Sequence, residues 1–231
     1  MLNHLKNRWF DLSIKVFQGF KLENDIRANK IIAFTFKRAF DILLSALILL
    51  VVAIPMIAVS ILIKLDSPGS VFFTQTRIGL SGKPFKLLKL RTMVKDAAKI
   101  QVSLENSNEI EGGVLFKIKQ DPRITRVGKF LRRYSIDEIP QLVNVLKGEM
   151  SLVGPRPLTL RDASRLPAEQ SLRTEVLPGI TGLWQVSGRS ETSSAHLGKC
   201  DLSYIERWSL SLDFQILLKT FLVVVSGEGA Y

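Results

Sequence analysis

The sequence predicts a helix-rich α+β fold in three parts. Residues 1–36 read as an amphipathic N-terminal extension, and residues 37–65 as a membrane helix that bends at a proline and re-enters the leaflet it came from. Residues 66–231 read as one cytoplasmic domain with a small β-hairpin and amphipathic interfacial helices. Three observations carry this reading. Ile42 to Ile63 is a run of 22 residues without a charge, interrupted only by Ser45, Pro55 and Ser60. Helical apolar spacing recurs on both sides of that run, and two short strand-like runs follow it within 30 residues.

In the extension, Leu2, Leu5, Trp9, Leu12, Val16 and Phe20 recur at helical spacing among Lys6, Arg8 and Lys15. The pattern fits a helix lying on lipid headgroups, and equally an amphipathic helix packed on the protein. The uncharged run is long enough, at about 1.5 Å per residue, to reach across a hydrocarbon core of about 30 Å. It starts too late and is too long for a cleavable signal, and it lacks a small-residue cleavage site. Charge placement argues against a single crossing. Residues 1–41 hold eight Lys and Arg against four acids, and residues 64–231 hold 24 against 17. Both flanks are net positive, so the positive-inside rule places both in the cytoplasm. Pro55 permits this, because it lacks an amide hydrogen and frees the carbonyl of Val51, which bends a helix.

Composition narrows the chemistry. The chain has 32 Lys and Arg against 21 acids, a net charge of +11, which favours anionic partners. The single cysteine, Cys200, excludes an intramolecular disulfide and a cysteine metal cluster, and reads as a small core residue. With only His4 and His196, any metal must be held mainly by oxygen, which suits Mg2+.

Beyond the anchor, Asp66-Ser67-Pro68-Gly69 is turn chemistry, and Val71–Thr76 and Phe85–Leu90 read as the strands of a hairpin. Residues 93–105 are compatible with a helix, 105–113 with a loop, and Thr125–Arg133 with a basic helix. Ser135 and Glu138 have capping-box spacing, so a helix is expected from Ile136 to Leu146, stopping before Gly148, with Pro140 tolerated in its first turns. Gly154-Pro155-Arg156-Pro157 reads as a rigid segment followed by a further helix, and Pro178–Gly182 as a loop. Leu210–Val225, carrying Asp213 and Lys219, reads as an amphipathic or core helix rather than a span.

The segment richest in chemistry is Arg132-Arg133-Tyr134-Ser135-Ile136-Asp137-Glu138-Ile139-Pro140. Its two carboxylates could merely cap a helix and oppose its dipole. Three further basic clusters add a second reading: Lys89-Leu90-Arg91, Pro155-Arg156-Pro157 and Gly188-Arg189. Arginines confined by proline or glycine suit bidentate phosphate recognition. Paired carboxylates for Mg2+ and nucleophilic attack, with several cations for a diphosphate, are the minimum for phosphoryl-type transfer. The chain has no phosphate-binding Gly-x-x-x-x-Gly-Lys-Ser/Thr loop, no Gly-x-Gly-x-x-Gly after a strand and no Asp-x-Asp pair.

At these residues the chain resembles the monotopic phosphoglycosyl transferases, also called the bacterial sugar transferase family. The resemblance covers about Lys37 to Tyr231 and rests on Lys37-Arg38-Ala39-Phe40-Asp41, Ser67–Gln75, Lys89–Met93, Ser135–Pro157 and Pro178–Arg189. It implies a re-entrant helix bent at a proline. It also implies that Asp137 is the nucleophile and Glu138 a Mg2+ ligand, with the two carboxylates together forming the metal site. Asp137 would attack the sugar-bearing phosphorus of a UDP-sugar, release UMP, and pass the phosphosugar to undecaprenyl phosphate. Lys89, Arg132, Arg156 and Arg189 match the family's phosphate and nucleotide contacts, and Arg91 joins them as a substrate-binding candidate of its basic cluster. Ile54 stands where the family often has serine before the kinking proline. The Thr181–Arg189 version and the Gly-Ala-Tyr ending resemble members that handle simple hexoses for exopolysaccharide. The expected partners are therefore a UDP-sugar, undecaprenyl phosphate, membrane lipids and a second copy of the chain as a homodimer, without nucleic acid. The expected place is the cytoplasmic face of the bacterial inner membrane. The alternative is a membrane-anchored basic binding or scaffold protein without catalysis. Its basic residues would form a patch, whereas here they are dispersed without aromatic stacking platforms.

Overall fold

A helix of 43 residues, α1 (Asn24–Asp66), opens the computed structural model, which describes residues 24–104, 118, 120–165, 168–187 and 194–227. The expected helix over residues 2–20, the loop 105–113 and Arg189 lie outside the described residues. Pro55 lies inside α1, and only 6% of the helix's most apolar 18-residue stretch is buried. Ile54 is 80% exposed, and Leu43, Leu50 and Val51 also point outward. A surface this apolar fits membrane association.

Both flanks of the uncharged run grip the rest of the protein. At its start, Arg38 donates to the carbonyls of Val145 and Met150, and Asp41 accepts from the Ser151 hydroxyl at 2.7 Å and the Leu152 amide at 3.3 Å. At its end, the carbonyl of Ile63 accepts from Arg91 at 3.1 Å, and Asp66 accepts from the Val127 amide at 3.1 Å. Lys37 and Arg38, counted above as flanking charges, are therefore buried in protein rather than set among headgroups.

The expected hairpin is present. Strands β1 (Phe72–Ile78) and β2 (Pro84–Leu90) pair antiparallel, with Phe73 opposite Lys89 and Gln75 opposite Leu87. Opposed residues share a face. Phe73, Gln75 and Arg77 therefore stand on the same side as Lys89. After it come α2 (Ala97–Ser103) and α3 (Arg126–Arg133), which Thr125 caps by accepting from the Gly128 amide.

The next segment departs from expectation. No capping box forms, and no helix runs from Ile136 to Leu146. Ser135 is left-handed (φ 53°), makes no side-chain cap, and is followed by a 3-10 turn, Ile136–Glu138. Helix α4 begins only at Gln141 and ends at Lys147, where left-handed Gly148 stops it as expected. Proline supplies the reason. Pro140 has no amide hydrogen for the Ile136 carbonyl, which takes the Ile139 amide instead at 3.2 Å and tightens the turn.

Two further short strands appear, one just before the rigid segment Gly154–Pro157 and one within what reads in the sequence as the loop Pro178–Gly182. Strand β3 (Ser151–Val153) pairs in parallel with β4 (Gly179–Thr181). A side chain on Gly154 would meet the backbone of Leu177 and Gly179, and one on Gly179 would meet Gly154. Such close approach demands glycine at both. Short helix α5 (Leu160–Ser164) and the 3-10 run Ala168–Glu175 lie between these strands, and α6 (Ser194–Arg207) and α7 (Leu210–Ser226) follow them. The main core joins Leu87, Leu142, Val145, Met150, Val153, Tyr204 and Ile216, with Leu44 and Ile48 of α1 packed on it. Full burial of such a side chain stabilises by about 1.5–3 kcal/mol. Cys200 is buried beside Leu158, Trp184 and Leu197, the core role expected of it.

Candidate active site

The left-handed Ser135 and the 3-10 turn aim Asp137 and Glu138 at β2 rather than along a helix axis. Glu138 Oε1 accepts from Lys89 Nζ at 2.6 Å and from Arg156 Nη2 at 3.3 Å. Asp137 Oδ2 lies 3.8 Å from the same Lys89 ammonium. Asn144, almost wholly buried on α4, fixes this arrangement. Its amide accepts from the Leu88 N–H at 3.0 Å and donates to the Lys86 carbonyl at 2.8 Å, so α4 is stitched to β2 shortly after the dyad.

The two carboxylates are placed in opposite electrostatic settings. Burial raises the Asp137 carboxyl above the ordinary range, Lys89 pulls it back, and the charge on Glu138 adds to the rise. For Glu138 burial also pushes up, but Lys89 and Arg156 outweigh it and hold the group well below the carboxylate range. Adjacent carboxylates whose environments push them apart are what a site with two distinct roles requires.

The cations come from four elements. Lys89 rises from β2, and Arg132 from the end of α3, where its Nε donates to Thr92 Oγ1 at 2.9 Å. Burial lowers the Arg132 guanidinium and Asp137 counters this. Arg156 follows β3, and its own carbonyl accepts from buried Arg173 at 2.7 Å, with Arg173 paired to Asp201 at 2.8 Å. Arg77, which sequence reasoning missed, lies on β1. It donates to the Pro157 carbonyl at 3.1 Å and to Gln75 at 2.6 Å. Burial and the charge of Arg156 push Arg77 down to about 10, so it stays a cation at neutral pH. Its two-residue spacing from Gln75 and Phe73 on a strand opposite Lys89 was the available signal.

Arg91 lines the same cavity, but its Nη2 donates to the carbonyls of Ile63 and Ser67 at 3.1 and 2.6 Å. It thus ties the end of α1 to the hairpin. Lys89, Arg132, Arg156, Asp137 and Glu138 meet in one cavity of about 1160 Å³, together with Arg77, Arg161 and Asp162. Among the described residues no group of three carboxylate, histidine or cysteine side chains gathers into a metal cage. Mg2+ ordinarily binds through one or two carboxylates plus phosphate and water, so the dyad suits it and a full cage is not needed.

A family model described as bacterial sugar transferase matches residues 32–227. The chain belongs to that family. Among curated relatives, it is 41% identical over 219 residues to the galactosyl transferase CpsE of Streptococcus agalactiae, covering 94% of this chain and 48% of that protein. It is 38% identical over 198 residues to the exopolysaccharide production protein ExoY of Sinorhizobium fredii, covering 84% and 88%. It is 42% identical over 204 residues to the UDP-glucose:undecaprenyl-phosphate glucose-1-phosphate transferase of Caulobacter vibrioides, covering 84% and 72%. The chain therefore spans about half of the first relative and most of the other two.

Proposed function

We propose that the protein transfers a hexose-1-phosphate from a UDP-sugar to undecaprenyl phosphate, giving undecaprenyl-diphospho-sugar and UMP, as a first membrane step of exopolysaccharide or other surface glycan assembly. One observation carries this. A buried, oppositely tuned carboxylate pair shares a cavity with Lys89, Arg77, Arg132 and Arg156, beside a helix whose surface fits membrane association. The activities for which the relatives are named agree with it.

In the proposed reaction an Asp137 carboxylate oxygen attacks the sugar-bearing phosphorus. The bond from that phosphorus to the bridging oxygen breaks, and UMP leaves with the electron pair. An oxygen of undecaprenyl phosphate then attacks the same phosphorus, and Asp137 departs as the free carboxylate. Lys89, Arg132 and Arg156 bind and orient the diphosphate by charge-assisted hydrogen bonds. Arg77 holds Pro157 and so the setting of Arg156. Bound Mg2+ would neutralise diphosphate charge, with Glu138, kept ionised by Lys89 and Arg156, and Asp137 as the residues to hold it.

The site sits at the cytoplasmic membrane face in this reading, with α1 re-entrant. Support comes from its two flanks. Arg38 and Asp66, on either side of the uncharged run, bond to α4 and α3 of one domain, whereas a single crossing would separate them by about 30 Å of hydrocarbon. A non-catalytic basic anchor accounts less well for cations turned inward onto carboxylates. UMP release from a panel of UDP-hexoses, with Mg2+ and undecaprenyl phosphate, tests the activity. Absence of release with every sugar would refute it.

A further inference from the structure

Four consecutive carbonyls after β3 are each taken by a donor from elsewhere in the fold. Pro155 accepts from the Gly179 amide at 2.9 Å and Leu158 from the Ile78 amide at 2.9 Å. Between them, Arg156 accepts from Arg173 Nη2 at 2.7 Å and Pro157 from Arg77 Nη1 at 3.1 Å. Pro155 and Pro157 carry no amide hydrogen, so the stretch is held mainly through its carbonyls. Three of the donors lie on paired strands, Gly179 on β4 and Arg77 and Ile78 on β1. Arg173 is the exception. It stands in the 3-10 run Ala168–Glu175, yet it holds the backbone of the residue whose guanidinium touches Glu138.

Packing does not fix this contact. A second cavity, of about 180 Å³, is lined by Pro155, Arg156 and Pro157 and by Gln170 and Arg173 of the 3-10 run, so the two stretches are not filled against each other. The fixed point is α6. The Nη2 that donates to Arg156 also lies 2.8 Å from Asp201 Oδ2, and both side chains are almost wholly buried. Three residues earlier α6 runs against the same 3-10 stretch, since a side-chain carbon on Gly198 would stand 2.4 Å from Gln170. Burial pushes the Asp201 carboxyl up to about 6 against the pull of Arg173. Burial likewise lowers the Arg173 guanidinium against the pull of Asp201, so each favours the charged form of the other. Desolvation offsets the attraction of a buried ion pair, and apolar replacements of similar volume often stabilise as well. Stability is therefore a poor reason for this pair, and what Arg173 holds is a better one.

We propose that Asp201 is a positioning residue for the transfer. It orients Arg173, whose Nη2 sets the Arg156 backbone and with it the reach of the Arg156 guanidinium to Glu138 and the donor diphosphate. This rests on the function proposed above and extends that site to a residue outside its cavity.

Asp201→Asn keeps the shape and removes the charge, and Arg173→Met with Asp201→Leu replaces the pair by apolar side chains. Thermal midpoint, hydrogen exchange of a peptide spanning residues 154–160, and kcat/KM for UDP-glucose and UDP-galactose are measured in detergent. The double variant should melt close to wild type, yet both variants should lose about fivefold or more in donor kcat/KM. Exchange over 154–160 should rise in both, with α4 unchanged. In an Arg156→Lys background, Asp201→Asn should cost less than about twofold more, since the fork it positions is already gone. Donor kcat/KM unchanged in Asp201→Asn, or a full further loss in the Arg156→Lys background, would overturn the assignment and leave the pair a purely structural one. If the double variant does not fold, Asp201→Asn and its Arg156→Lys counterpart decide alone. A wild type that releases no UMP from any UDP-hexose defeats the proposed function instead. The positioning of Arg156 is then judged by exchange over 154–160 in Asp201→Asn, where a selective rise supports it and no rise refutes it.

Discussion

Lys89 Nζ stands 2.6 Å from Glu138 Oε1 and 3.8 Å from Asp137 Oδ2, so one ammonium sets the charge state of both carboxylates. Removing it acts on the two groups in the same direction, since Lys89 lowers each of them. A nucleophilic Asp137 must be ionised, and its carboxyl is already raised by burial. Adduct formation should therefore fall on the acid side with an apparent pKa above that of an ordinary carboxylate. In Lys89→Met, whatever rate remains should show that limb moved to higher pH. Single-turnover rates across pH at saturating Mg2+ measure this, and a limb that stays in place or moves to lower pH would contradict it. Asp137→Asn should abolish the adduct while the protein remains folded and membrane-bound.

Glu138 is not a helix cap here, because Ser135 makes no side-chain cap and Glu138 is bonded to Lys89 and Arg156 instead. Glu138→Gln loses a charge-assisted contact to each. Turnover should drop by about 10- to 100-fold, the range expected for a hydrogen bond to a charged group of about 1.5–3 kcal/mol, and the Mg2+ dependence should weaken. A variant of unaltered turnover and Mg2+ dependence would remove Glu138 from the site.

Arg156 is fixed by prolines on both sides and by Arg173 on its carbonyl. Arg156→Lys keeps the charge but loses the planar fork, so kcat/KM for the donor should fall by about tenfold or more. Arg207 is exposed at the end of α6, and Arg207→Lys should leave the rate within about twofold. Equal effects at the two positions would make Arg156 an ordinary solvated cation.

Topology can be read from cysteines at Thr35 and Ser70, both exposed and on opposite flanks of the uncharged run, in a Cys200→Ser background. Both should react with an impermeant maleimide only from the cytoplasmic face. Pro55→Leu should send a fraction of molecules into a spanning form, with Thr35→Cys labelled from outside. Outside labelling of either cysteine in the Pro55 protein would establish a crossing helix.

Beneath the site, Lys37 Nζ donates to Asp213 at 2.6 Å and to the Val153 carbonyl at 3.2 Å, while Tyr204 donates to Asp213 at 2.8 Å. All three side chains are buried. Lys37→Met strands a buried carboxylate and should cost about 3–5 kcal/mol, read as a lower thermal midpoint in detergent. Lys37→Met with Asp213→Leu removes both charges and should recover most of that loss. Equal loss in the double variant would locate the effect elsewhere.

The sequence by itself determined what local chemistry can determine: an apolar helix, a hairpin from two strand-like runs, a basic helix near Thr125–Arg133, the stop at Gly148, and the residue types a phosphate site needs. The family resemblance grouped Lys89, Arg91, Arg132, Asp137, Glu138, Arg156 and Arg189 as one site, and the fold brings all but Arg189, which lies outside the described residues, into one cavity. Tertiary structure decided the rest. A capping box and a proline-tightened 3-10 turn share the same spacing at Ser135–Glu138, and Lys89 and Arg156, 49 and 18 residues away in sequence, draw Glu138 off the cap. Pairing of β3 with β4 joins two three-residue stretches too short to show a period. Arg77 and Asn144 look like ordinary strand and helix residues until the hairpin packs on α4. Lys37 and Asp213 lie 176 residues apart, and their charges read as solvated until burial leaves each the other's partner. Spacing along the chain reports neighbours within a turn or a strand, whereas a site built from four elements depends on desolvation and contacts that exist only after those elements have packed.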